Sequence, residues 1–287
     1  MGTRISEHEP YISTTLDFSF ISINRAKSDF LSLFYSLLEK ESSKSPNINH
    51  KVVGVDGCRA GWVAFTIDSS GHSLKIYNSI EMLCRENADA ELMIIDMPIG
   101  LPEIGNDIRP EIGARKILGK KASSIFNCPC RQAVYKDSYK EANEMNKNVL
   151  GKGLSQQSYA ICPKIREIDK FLKDNEKYKN KLIESHPEIC FAKFNGTPIF
   201  ENKKTPEGIK KRISVLSEYY KEIEEIVYES NISKKEAQID DILDAICLAV
   251  VARNGQKGEL KTIPAEPQKD NCGFLMQMVY SEGRGRN

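Results

Sequence analysis

The sequence predicts an α/β domain on a five-stranded mixed sheet, and three stretches carry that prediction. Residues 52–77 alternate apolar runs with glycine turns, residues 92–96 are apolar up to a closing Asp96, and residues 239–251 read as a helix with three carboxylates at its head. A meander, a strand covered on both faces and a core helix are the parts of a layered α/β architecture.

The chain has 287 residues, 40% of them hydrophobic, enough for one large core. No run of about eighteen apolar residues occurs and the start, Met1-Gly2-Thr3-Arg4, lacks a leader pattern, so a soluble cytoplasmic protein with no membrane partner is expected. Eight cysteines lie along the chain without a CxxC pair, which points to reduced thiols and away from a zinc ribbon. Cys128, Cys130 and Cys162 are read as structural. The net charge of +1 hides a segregation: residues 106–212 hold 23 Lys and Arg against 13 Asp and Glu, and the flanks are acidic. Such a layout suits a protein that grips a polyanion with one region and holds cations with another, although a Lys-rich helix such as 170–181 is ordinarily a solvated face.

Residues 1–50 read as an N-terminal extension, a helical apolar run at 30–38 followed by a polar linker, with the domain proper at 51–287. Strand one, 52–56, ends in Asp56, and Gly57-Cys58-Arg59-Ala60-Gly61 turns the chain into strand two. Ser69-Ser70-Gly71 makes the next turn into strand three, and 79–87 is helical. A right-handed crossover then sets strand four beside strand one and parallel to it, so Asp56 and Asp96 share a sheet edge with backbones about 5 Å apart. Ligands of open α/β sheets bind outside that carboxyl edge.

Residues 105–178 read as a basic, mostly helical insertion. Within it Gly151-Lys152-Gly153-Leu154-Ser155-Gln156 opens a helix running through Ile161, Ile165, Ile168 and Phe171. The stretch has the Gly and Lys of a phosphate loop without the spacing or the preceding strand of a nucleotide P-loop, yet its amides and Lys152 suit a phosphodiester. Residues 182–188 are the fifth strand candidate, ending in Glu188, and Pro187 implies that it lies at a sheet edge or that the strand ends there. His186 ranks below Glu188, because a lone histidine is more often a hydrogen-bonded structural group. After Lys203-Lys204-Thr205-Pro206 a long helix is expected to about Tyr228, and Ser233-Lys234-Lys235-Glu236 fits a capping box at the acidic helix or the turn before it. On that helix Asp241 and Asp244 share a face beside an apolar stripe of Ile242, Ala245, Ile246 and Ala249. The tail segments 262–264 and 275–280 add an edge strand or pack on the surface.

Collected, the candidate site is Asp56, Asp96, Glu188, Asp241 and Asp244, with Asp240 as alternate. Oxygen ligands without clustered His or Cys suit Mg²⁺ or Mn²⁺, and two such ions about 4 Å apart can drive in-line attack on a phosphodiester. The expected reaction is hydrolysis of DNA or RNA, with Arg59, Arg115, Lys152, Ser155, Gln156, Lys164 and Lys204 as nucleic-acid contacts.

The motifs Val53-Gly-Val-Asp56-Gly-Cys-Arg-Ala-Gly-Trp62, Ile95-Asp96-Met-Pro-Ile-Gly-Leu101, Gly151-Lys-Gly-Leu-Ser-Gln156, His186-Pro-Glu188, Lys203-Lys-Thr205 and Asp240-Asp-Ile-Leu-Asp-Ala245 resemble, in order, the family called domain of unknown function 429. That family is regarded as predicted nucleases of the RNase H-like fold. By this resemblance Asp56 bridges two ions, Asp96 binds one, and Asp241 with Asp244 completes the other. Asp244, just before an alanine, is the inner ligand, and Asp240 points to solvent or supports the ligands. Two other classes compete. An actin-like or sugar-kinase-like ATPase shares the opening Asp-Gly turn, but the second glycine-rich phosphate turn and the adenosine-binding glycine pair are missing. A non-catalytic nucleic-acid-binding module is the third reading, against which the retained carboxylates argue.

Overall fold

The computed structural model describes residues 50–284, so the helix expected at 30–38 and nearly all of its linker lie outside the described residues. The expected five-stranded mixed sheet is present. β1 (Val52–Cys58), β2 (Gly61–Asp68) and β3 (Gly71–Tyr77) form the antiparallel meander; α1 (Ile80–Glu86) then crosses to β4 (Leu92–Ile95). The strand order is β3-β2-β1-β4-β5, with β5 (Leu182–Glu184) at the edge, and both β1/β4 and β4/β5 are parallel. The tail supplies a small hairpin, β6 (Lys261–Ile263) with β7 (Met278–Tyr280), which touches the sheet through a bridge between Ser185 and Val279.

The basic insertion is helical, as expected. It comprises α2 (Glu111–Leu118), a 3₁₀ turn at Gly119–Ser124, α3 (Arg131–Val134), α4 (Tyr139–Leu150), α5 (Gln156–Ala160) and α6 (Cys162–Asp174). The helix expected from Gln156 through Phe171 is broken at Ile161, where Pro163 restarts it in the first turn of α6. Four further helices follow: α7 (Pro187–Asn195), α8 (Pro206–Ser217), α9 (Ile223–Glu229) and α10 (Ile239–Gly255). The single long helix expected to Tyr228 is thus two helices. Strand five also stops sooner than expected, at Glu184, because Pro187 occupies the first turn of α7 rather than a strand position.

Strand alternation sorts the sheet into two cores. Val53, Val55, Met93 and Ile95 face one side, with Trp62, α1 and α6. Val52 and Ile94 face the other, against α10. The period of two puts Gly54, Asp56 and Asp96 on that same α10 side. The one-sided stripe expected on α10 is corrected by its burial: every residue from Ile242 to Ala252 is buried, as for a helix apolar all round in the middle of a core.

Gly54 fixes how near that helix comes. A Cβ there would lie 2.0 Å from the Ala245 carbonyl oxygen and 2.1 Å from the Ala249 nitrogen, so the helix backbone rests directly on the strand. Ala245 and Ala249, small and fully buried, complete the contact. The result is that Asp244, next to Ala245, is delivered beside Asp56, which stands two residues before the end of β1 and not at its last position as expected.

Candidate metal centre

Asp56 ends the apolar part of β1, and its carboxylate accepts from the Gly57 N–H at 2.7 Å. Asp96 follows the last residue of β4, its own N–H donating to the Val55 carbonyl at 3.0 Å, so the two strand ends are locked in register. Asp244 comes down from α10. Asp56, Asp96 and Asp244 offer oxygens that all lie within 4.8 Å of one another, the one group among the described residues able to hold a metal ion.

Three carboxylates this close and this buried are costly as anions. Burial first, then the charges of Asp96 and Asp244, raise the Asp56 carboxyl well above its ordinary range. Burial likewise raises Asp96, against opposing help from His186 and Lys203. For Asp244, burial outweighs the Lys203 ammonium and pushes the carboxyl up to about 7. One atom is left over: Asp244 Oδ1 is buried with no hydrogen-bond partner among the described residues. An orphan carboxylate oxygen in an oxygen-only cluster fits a hard divalent cation, and softer metals have no sulfur or imidazole here to prefer.

Lys203 is the internal counterion. Its Nζ donates to Asp244 Oδ2 at 2.6 Å and lies 3.5 Å from Asp240 Oδ2. Burial opposes its charge, but Asp244 and Asp56 more than offset this and raise its pKa. Sequence reasoning chose Lys204, which is exposed, and missed Lys203. No local pattern distinguishes two adjacent lysines, which sit side by side just before the Thr205 cap of α8.

The remaining candidates are placed as follows. Asp241 lies at the third position of α10 and accepts from the Gln238 N–H at 2.9 Å, closing the helix cap, while its charge still reaches Asp56. The capping role expected of Ser233 and Glu236 is confined to the preceding turn, where Ser233 N–H and Oγ donate to Glu236 at 3.0 and 2.7 Å. Asp240, expected toward solvent if not in a supporting role, is buried and faces Lys203. Glu188 is in the first turn of α7, gripped by Arg212 at 2.6 Å and Lys121 at 2.6 Å. Burial opposes its ionisation, yet those two cations hold its carboxyl below the usual range. His186 caps α7, its Nδ1 accepting from the Glu188 N–H at 3.2 Å.

Asp56 and Asp96 line a cleft of about 630 Å³, and Asp244 is buried behind them. Lys164 lines it, donating to the Gly61 carbonyl and lying 4.3 Å over the Trp62 ring. Arg59, Lys152 and Gln156 are exposed, and Ser155 caps α5 by accepting from the Ser158 N–H at 3.0 Å. Arg115 is committed to the chain itself, donating to the Ile125 carbonyl at 2.9 Å and to Asn127 at 2.7 Å. Cys128, Cys130 and Cys162 are buried free thiols outside the metal-binding group, in line with a structural role. Among the described residues no helix is long and apolar enough to cross a membrane.

No curated protein and no solved structure matches the chain. A family model does, that of a protein of unknown function, DUF429, over residues 54–269, a span that holds Asp56, Asp96, Lys203 and Asp244. By that match the chain belongs to the DUF429 family.

Proposed function

We propose that this chain is a divalent-metal-dependent nuclease that hydrolyses phosphodiester bonds of DNA or RNA. The observation that carries the reading is the cluster of Asp56, Asp96 and Asp244 within 4.8 Å at the carboxyl edge of the sheet, with Asp244 Oδ1 left unpartnered. Asp56, Asp96 and Asp244 are the residues that would hold Mg²⁺ or Mn²⁺. A two-ion form would draw on a fourth carboxylate, and Asp241, whose charge is felt at Asp56 and whose Oδ2 accepts from the Gln238 N–H, is the candidate. When bound, such ions neutralise a phosphodiester and lower the pKa of water.

The chain's own groups do the rest. Lys203 neutralises Asp244 on its Oδ2 side, so Oδ1 is the oxygen directed to a ligand. Asp240 holds Lys203 from behind. Glu188, on the cleft wall, pairs with Lys121 beside it and with the buried Arg212 behind it, and so supports the site. The exposed Arg59, Lys152 and Lys204 are the phosphate contacts that reach a strand outside the cleft.

The test is cleavage of labelled DNA and RNA by the purified protein in Mn²⁺, alongside Asp56→Asn and Asp244→Asn. Cleavage by the wild type that is lost in both variants, with circular dichroism unchanged, is the expected result. Persistence in both folded variants would rule the reading out.

A further inference from the structure

The cleft above the acids offers a phosphate no lysine that is not already hydrogen-bonded within the chain. Its three lysines are already engaged: Lys203 with Asp244, Lys121 with Glu188 and the Ile199 carbonyl, and Lys164 with the Gly61 carbonyl. What it offers an incoming molecule is apolar, and two exposed aromatic rings line it. Phe126 is 46% exposed and Phe200 is 62% exposed, although both line the same cleft as Asp56 and Asp96. Leaving such side chains in water forgoes the gain of burying them, so a pair on one cleft calls for an occupant where a solitary ring would not.

The backbone holds both rings out. Each follows a buried isoleucine, Ile125 or Ile199. Arg115 brackets Phe126 by binding Ile125 on one side and Asn127 on the other. Lys121, in the 3₁₀ turn just before Phe126, reaches across to the carbonyl of Ile199 at 2.5 Å, the residue before Phe200. A single ammonium thus staples together the two segments that carry the rings, and the stapled pair borders an acidic floor.

We propose that Phe126 and Phe200 form a stacking site for an unpaired nucleobase, so that the strand reaching Asp56 and Asp96 is single-stranded there. Flat rings with a phosphate attached match an apolar, aromatic-edged cleft beside a cation-binding floor. A paired duplex presents its bases edge-on inside a charged backbone and would need free cations at this wall. The proposal rests on the reading of the acids as a phosphodiester site and adds the substrate form.

The experiment measures binding in Ca²⁺ without Mn²⁺, so that it needs no turnover. Full-length protein is titrated into single-stranded DNA and RNA oligonucleotides carrying a central 2-aminopurine, into the matching duplexes, and into 2-aminopurine nucleoside monophosphate. The expected result is quenched fluorescence on a single strand, weaker binding of the duplex, and a loss of about five- to a hundredfold in affinity for Phe126→Ala or Phe200→Ala, with Phe200→Tyr restoring it. Duplex bound as tightly as single strand, monophosphate bound as tightly as the strand, unchanged alanine variants, or no binding to any probe would each overturn the proposal. Its failure is separable from that of the hydrolytic reading. Quenching without any Mn²⁺-dependent cleavage removes the nuclease and leaves the stacking site, whereas cleavage of duplex without quenching does the reverse.

Discussion

Replacing Gly54 with alanine tests the link between the fold and the acids. The added Cβ would sit 2.0 Å from the Ala245 carbonyl oxygen and 2.1 Å from the Ala249 nitrogen, against an ordinary separation of at least 3.4 Å for such contacts. No flexible side-chain end is available to yield; the obstacle is helix backbone, so α10 must move outward by about 1 Å or more, at a cost of about 1–3 kcal/mol for overpacking. For a domain of this size each kcal/mol lowers Tm by about 2–4 °C, giving a fall of about 2–12 °C. The same movement carries Asp244 away from Asp56 and Asp96. Thermal melting and Mn²⁺ titration by calorimetry should therefore show loss of stability together with weakened Mn²⁺ binding in Gly54→Ala. A variant with wild-type Tm and wild-type Mn²⁺ affinity would refute the claim that this glycine sets the position of the acidic helix.

Two further outcomes follow from the site's charges. Glu188→Gln leaves the fully buried Arg212 without its anionic partner, so urea denaturation should show a loss of about 3–5 kcal/mol while Mn²⁺ affinity stays close to wild type; a collapse of Mn²⁺ binding at unchanged stability would instead make Glu188 a ligand. The pH dependence has a defined sign. Asp244 is raised by burial from 3.8 to about 7, so between those values the folded metal-free protein binds more protons than the unfolded chain, and stability falls as pH rises through the window. Melts in EDTA should drop from pH 4 toward pH 7, less so in Asp244→Asn, and Mn²⁺ should stabilise more at the upper end because it needs ionised carboxylates. A metal-free melt that climbs with pH more in wild type than in Asp244→Asn would contradict this.

Much of the fold was legible because its signals are local. The glycine turns of the meander, the uninterrupted apolar β4 and the crossover rule place Asp56 and Asp96 side by side, and the Asp96 N–H donating to the Val55 carbonyl is the form this takes. Asp244 was legible through its helix. What escaped was set by long-range packing. The division of labour among Asp240, Asp241 and Asp244 depends on how α10 is rotated over Gly54, and Asp241 was claimed by the helix cap. Lys203 and Lys204 are alike in sequence and opposite in placement. Glu188 reads in sequence as a strand-end acid, but Pro187 starts a helix and puts it in that helix's first turn. Phe126 and Phe200 give no periodic signal, since the segments carrying them are joined by Lys121 reaching across the fold to Ile199 and held locally by Arg115 on Ile125.

Metal held by Asp56, Asp96 and Asp244 is directly observable. Crystals soaked in Mn²⁺ and measured at the manganese absorption edge test it directly. The predicted result is anomalous density between those three carboxylates, including Asp244 Oδ1, with the second ion of the proposed pair beside Asp56 and Asp241. Full Mn²⁺ exposure with no peak at the triad, or with peaks only elsewhere on the protein, would contradict it.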